Sequence, residues 1–176
     1  RDVALSTSGL LAEKIGGPSV RPPQPSDYAS VTYANSAKWV ESKGADRYRR
    51  GLYTFFQRTS PYPLLATFDA PDATECTVKR QTSNTPIQSL TLWNDIVFFE
   101  AAQSLARRVV NEVPGGMSPE QTNRARATHA LRLCVGRSPS QAEVDDVMSL
   151  YRDQQQLAAA NSAAAQTAAG AAPLPA

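Results

Sequence analysis

The sequence predicts a mainly α-helical, bundle-like domain with a proline-rich strap, long ordered loops and little or no sheet. Three observations carry this expectation. Thr85-Pro86 with Gln88, and Ser118-Pro119 with Gln121, each set a capping hydroxyl, a proline at the first helical position and a glutamine at the third. Behind both caps, apolar residues recur at the three-to-four residue spacing of one helix face. Between the periodic stretches the punctuation is dense, with four prolines from Pro18 to Pro25 and Pro114-Gly115-Gly116 further on. At 176 residues the chain corresponds to about one domain. A domain of that size buries roughly 70% of its unfolded surface, enough for a core without staples.

The elements follow in order. Val3, Ala4, Leu5, Leu10, Leu11 and Ile15 keep a rough helical rhythm that should stop at Gly16-Gly17-Pro18. The Gly16–Pro25 stretch then reads as an extended strap that neighbours must hold. Residues 28–41 are ambiguous, with Tyr28, Val31 and Tyr33 suited to a short strand and Trp39 and Val40 to a strand or a helix. From Arg47 to Arg58 basic and aromatic residues interleave. Tyr48, Leu52, Phe55 and Phe56 fall at i, i+4, i+7 and i+8, which predicts a core helix with Arg47, Arg50 and Arg58 turned away from that stripe.

After Ser60-Pro61-Tyr62-Pro63 and a dense loop, the Thr85 cap should open a long helix from Pro86 to about Asn111, striped by Ile87, Leu90, Trp93, Val97, Ala101 and Leu105. A helix from Pro119 carries Ala127, Ala130, Leu131 and Cys134 and closes at Gly136. Ser140 with Glu143 opens another, striped by Val144, Val147, Met148 and Tyr151. We expect the Pro86 helix to pack on these two. Residues 1–157 are read as the helical domain and 158–176 as an alanine-rich, low-complexity tail, a fraying helix end or a disordered segment. The helical rhythm is already under way at Arg1, so we expect a piece of a longer protein, cut at both ends.

Composition excludes several functions. Charged residues are 19% and hydrophobic ones 41%, unlike a disordered chain. No apolar run approaches the ~20 residues of a membrane span. The net charge of +2 is concentrated in residues 47–80, which hold six basic and three acidic side chains. That is a local patch, too sparse for a nucleic-acid partner. One histidine, His129, excludes a two-histidine metal site, and it lies opposite its helix's apolar stripe. Cys76 and Cys134 stand too far apart for covalent haem attachment. They are either two free buried thiols or a crosslink closing about 58 residues, worth about 4 kcal/mol in the chain-entropy model.

The densest stretch supplies a likeness. Phe68-Asp69-Ala70-Pro71, Cys76-Thr77-Val78-Lys79-Arg80-Gln81, Asn84-Thr85-Pro86-Ile87-Gln88, Leu90 and Asn94-Asp95 together resemble one family. It is the C-terminal domain of unknown function 1553 of large secreted planctomycete-type proteins. Gly16-Gly17-Pro18-Ser19-Val20 and Arg49-Arg50-Gly51-Leu52-Tyr53-Thr54-Phe55 are similar to that family's earlier motifs, so the likeness covers residues 1 to about 151. Ala73, Lys79, Thr82 and Phe56 depart from the usual pattern, and the missing positive charges weaken any anion grip in this loop. The resemblance implies an exported location and companion domains in the same polypeptide, with a cytochrome c module, and hence haem c, elsewhere in the intact protein. It carries over no catalytic residue.

Two functions remain from the residues themselves. One is a noncatalytic interaction or scaffold module, partnered by companion domains of the same chain. In it the Phe68–Arg80 loop and the Gly16–Pro25 strap cover the Pro86 helix, pinned by Asp69, Arg80 and Asn84, with Arg80 and Asp95 able to pair as a clamp. The other is a hydrolase or lyase on extracellular polysaccharide, with Asp69, Asp72 and Glu75 as acid and base and Arg80 holding an anionic group. No metal ligand set and no cofactor of this stretch is expected in either.

Overall fold

The computed structural model describes residues 1–25, 39–58, 60–116 and 118–170. Tyr28, Val31, Tyr33, Pro173 and Pro175 lie outside them. Among the described residues the fold is mainly α, with no strand and two isolated bridges, Ala12 with Arg49 and Val20 with Thr54. The helices are α1 (Asp2–Ser8), α2 (Pro63–Thr67), α3 (Pro86–Asn94), α4 (Ile96–Glu112), α5 (Pro119–Val135), α6 (Gln141–Ala160) and α7 (Ser162–Ala169). None of them is long and apolar enough to cross a membrane. The chain divides into two compact units, Arg1–Asp2 with Leu11–Glu100, and Val3–Leu10 with Ala101–Ala176.

In the first unit the strap begins with a left-handed turn at Gly16 and Gly17, and beyond it the proline-rich part forms no helix and pairs at Val20. Val20 donates to the Tyr53 carbonyl at 2.8 Å and accepts from the Phe55 amide at 2.7 Å. Pro22 and Pro23 are fully buried. The Tyr62 hydroxyl donates to the Pro23 carbonyl at 2.8 Å, and the Trp39 indole donates to that of Pro22 at 2.7 Å. The Trp39 and Tyr62 rings stack at 5.8 Å, 9° from parallel. Burial pushes the Tyr62 phenol well above its usual range, so it remains a donor at every physiological pH. These neighbours hold a segment that makes few backbone bonds of its own.

The expected helix over Arg47–Arg58 does not form. Two 3-10 turns, Gly44–Tyr48 and Gly51–Tyr53, flank an extended Arg49, and Leu52 is 82% exposed. Pairing across the chain to Ala12 and Val20 outweighs the local periodicity, because Arg49 and Thr54 must be extended to make it. Arg47, expected to turn outward, is instead largely buried, paired with Glu100 at 2.7 Å and Glu41 at 2.8 Å. Burial works against its charge, but the two carboxylates outweigh this and raise its pKa.

The long helix predicted from Pro86 is two helices. Thr85 and Gln88 form the expected capping box on α3. Asp95 then takes an extended ψ of 132°, donates its amide to the Thr91 carbonyl, and accepts the Val97 amide on its side chain at 2.9 Å. One residue thus ends α3 and caps α4. The apolar stripe does not continue through the break: Ile87, Leu90 and Trp93 are exposed, whereas Val97 is buried. Phe68 meets Phe98 edge-on at 6.3 Å.

The second unit matches the cap reading closely. Ser118 with Gln121 and Ser140 with Glu143 both form capping boxes, and Gly136 closes α5 at φ 68°. Ala127, Val144 and Met148 are the core of the α5–α6 pair, with Leu131 and Val147 packed on it. α1 stops at Gly9, φ 79°, well before the predicted Gly16, since Gly9 takes the left-handed turn first. Leu5 and Ser8 are buried there, and Arg108 and Ser104 of α4 donate to the carbonyls of Thr7 at 2.7 Å and Ser8 at 3.0 Å.

Candidate functional site

The carboxylates singled out by sequence lie on the loop between α2 and α3. Asp69 follows the end of α2 in the left-handed region, φ 57°, which aspartate tolerates through local hydrogen bonds. Its carboxylate accepts the Ser83 amide at 2.8 Å and the Ser83 hydroxyl at 2.8 Å, and receives the Gln88 side-chain amide at 3.3 Å. The same Gln88 amide donates to the Thr67 carbonyl at 3.0 Å and to the Ser83 hydroxyl at 3.0 Å. Arg80 closes the loop from the other side, donating to the carbonyls of Asp69 at 2.8 Å and of Phe68. The loop from Asp69 to Ser83 is therefore tied at its base by Asp69, Ser83, Gln88 and Arg80.

Asp72 does something else. Its Oδ1 accepts the Thr74 amide at 3.1 Å and the Thr74 hydroxyl at 2.8 Å, an Asx turn. Asp72 also lines a pocket of about 110 Å³ with Phe55, Phe56 and Tyr62. Of the three candidate carboxylates only Asp72 lines it. Glu75 is exposed and makes no side-chain bond among the described residues. The Ser83 amide and hydroxyl hold the Asp69 carboxyl below the usual carboxylate range, and the Thr74 amide and hydroxyl do the same for Asp72. A general acid needs the opposite shift.

The expected clamps are realised in part. Asp69 and Arg80 pin the loop, while Asn84 is exposed with no side-chain bond among the described residues. The Arg80–Asp95 pair does not form, because the Asp95 carboxylate is engaged at the start of α4. Burial pushes the Asp95 carboxyl up, opposed by the Val97 amide. The loop from Pro71 to Asn84 is exposed throughout, so it is not the cover it was expected to be. Ser83 has no motif of its own in the sequence, where Gln88 stands as a capping partner and within the Asn84–Gln88 likeness. The second use of Gln88, buried and reaching Thr67 and Asp69, depends on where the loop base comes to rest.

Arg49 was also missed. It is 1% exposed and donates to the carbonyls of Lys14 at 3.2 Å, Gly16, and Pro18 at 2.9 Å. Its sequence signals were its place in the alternating basic and aromatic run and in the Arg49–Phe55 stretch of the family likeness, neither of which points to a buried cation. His129 stands at the edge of α5, not fully in solvent, 2.5 Å from Glu112 of α4, which also pairs with Arg108 at 2.8 Å. Those two partners hold the Glu112 carboxyl low. Cys76 and Cys134 are free and exposed, where buried thiols or a crosslink had been expected. Cys134 sits beyond the closed part of its stripe, at the end of α5. Among the described residues no group of three or more His, Cys, Asp and Glu side chains could hold a metal ion.

No curated protein and no solved structure matches the chain. One family matches residues 1–151, described as a protein of unknown function, DUF1553, under the name PSD1. That span includes the strap, the Arg49 cage, the Asp69 loop base and the caps of α3, α5 and α6, and the chain belongs to this family of unknown function.

Proposed function

We propose that this chain is a noncatalytic interaction or scaffold module of a larger exported protein, in which companion domains of the same polypeptide are its partners. In this reading a haem c, where the intact protein carries one, belongs to another module. The observation that supports the reading is the use of Asp69. Its carboxylate is engaged by one backbone amide, one hydroxyl and one side-chain amide, all within the chain. Asp72 is likewise a turn residue, and neither carboxyl has the raised pKa that acid catalysis requires.

The test is a reducing-end assay of the chain against a panel of acidic and neutral polysaccharides, beside Asp69→Asn, Asp72→Asn and Glu75→Gln variants. Hydrolases and lyases both generate new chain ends, so one assay covers both. The expected result is no release above the blank. Asp69→Ala and Arg80→Ala should instead lower Tm by a few degrees by opening the loop base. Release that disappears in Asp72→Asn or Glu75→Gln, with Tm unchanged, would establish the polysaccharide-active alternative.

A further inference from the structure

We propose that the groove between α4, α5 and α6 is the docking site for an amphipathic helix of a companion domain, one presenting an apolar stripe at i, i+4 and i+7 and a carboxylate to Arg126. The proposal rests on the interaction-module reading and names its partner surface. The groove holds about 360 Å³, is open to solvent, and has Val109, Ala127 and Met148 as its floor. Its α4 wall runs from Ala102 to Val110, about 12 Å at ~1.5 Å per residue. Anchors at i and i+7 of a docked helix span about 10.5 Å, so three apolar side chains fill this length.

Charge decides what kind of helix fits. Three arginines of α4, α5 and α6 have acidic partners: Arg108 with Glu112, Arg124 with Asp145, and Arg152 with Glu120. Arg107, Arg126 and Arg132 have none among the described residues, and of these three only Arg126 lines the apolar groove. Its Nε donates to the Val113 carbonyl at 3.1 Å, and it has no carboxylate partner among the described residues. Asn123, one turn earlier on the same face, also lines the groove. A half-buried guanidinium beside apolar surface favours an anionic acceptor more than one in open water does. A second copy of the chain supplies no such acceptor. A two-fold contact would set this face against itself, and no carboxylate lines it. The chain's own α7 is held elsewhere, by Gln103 on the Ala168 carbonyl at 2.6 Å and Arg107 on that of Ala169 at 2.8 Å. Neither Gln103 nor Arg107 lines the groove.

The experiment is fluorescence polarisation of the full chain with a labelled synthetic helix, alanine- and lysine-based, bearing leucines at i, i+4 and i+7 and one flanking glutamate. Saturable binding is expected. Val110→Glu should weaken it about tenfold or more, since a charge would enter the groove. Val110 is 48% exposed, so this variant should fold, which circular dichroism checks. Replacing the peptide's glutamate by glutamine should weaken binding several-fold to the wild-type chain and leave binding to Arg126→Gln unchanged. Absence of saturable binding, or binding indifferent to Val110→Glu, overturns the proposal. So does a peptide glutamine that matters equally with and without Arg126. Dimerisation in sedimentation that Val110→Glu abolishes would assign the groove to a second copy, and saturable dodecanoate binding blocked by Val110→Glu, without peptide binding, to a small amphiphile. None of these outcomes depends on the polysaccharide assay.

Discussion

The Arg49 guanidinium lies 3.8 Å from the centre of the Tyr53 ring, and both side chains grip the same glycine turn. Arg49 donates to the carbonyls of Lys14, Gly16 and Pro18, while the Tyr53 hydroxyl accepts the Gly16 amide at 2.9 Å. Gly16 and Gly17 have φ of 78° and 86°, a backbone that would strain any larger residue. The buried cation has no carboxylate among the described residues. Three carbonyls and a ring face replace one.

Arg49→Lys should therefore be far from conservative. Lysine keeps the charge but lacks the planar fork that reaches three acceptors and stacks on a ring. With two charge-assisted bonds lost and a buried ammonium left half-satisfied, the expected loss is about 3 kcal/mol or more. In a domain of this size that lowers Tm by about 10 °C in calorimetry. Tyr53→Phe should cost only about 1 kcal/mol, one neutral hydrogen bond. Equal Tm for Arg49→Lys and wild type would show that the carbonyl cage is incidental.

A second prediction concerns acid. Arg137 donates to Glu143 at 2.6 Å, and the Ser140 amide adds a bond at 2.7 Å. These partners pull the Glu143 carboxyl down to about 2. A depressed native pKa contributes stability that is present above the unfolded value of about 4.3 and is lost as pH falls through the native one. Carboxyl NMR should therefore place the Glu143 midpoint near 2 and show the α6 cap intact at pH 3. Arg137→Ala should raise the midpoint without restoring the ordinary value, because Ser140 still donates. An ordinary glutamate midpoint in the wild type would mean that Arg137 does not hold this geometry in solution.

The caps were legible because they are local. Ser118, Ser140 and Thr85 each need only the residue three positions on, and all three boxes form. The stripe over Tyr48–Phe56 misled because its backbone is set from outside, by Ala12 and Val20, which lie more than thirty residues away in sequence. Asp95 misled for a subtler reason. An aspartate inside an apolar periodicity looks like one polar position on a helix face, and here it interrupts the helix. At the loop base, Asp69 and Arg80 could be picked as charged residues in a dense motif. Ser83 could not, because a serine acquires its role only from the carboxylate that the fold brings to it.

The last prediction separates the two things that Asp95 does. As the cap of α4 it supplies an oxygen to the Val97 amide, and asparagine supplies the same oxygen without charge. As a half-buried carboxylate it is disfavoured in its ionised form, which is why burial pushes its pKa up. A raised native pKa means that the native state holds the proton longer than the unfolded chain. Its contribution then declines as pH rises through the interval between the two values. Asp95→Asn should consequently be at least as stable as wild type at pH 7, and lose that advantage below about pH 4, where the unfolded carboxyl also protonates. Asp95→Ala removes the cap oxygen as well as the charge, and should be about 1 kcal/mol less stable than Asp95→Asn at both pH values. Urea unfolding midpoints of the three proteins at pH 3.5 and pH 7 decide the matter. If Asp95→Asn falls as far as Asp95→Ala at pH 7, the carboxylate's charge is stabilising, and Asp95 contributes more than a cap.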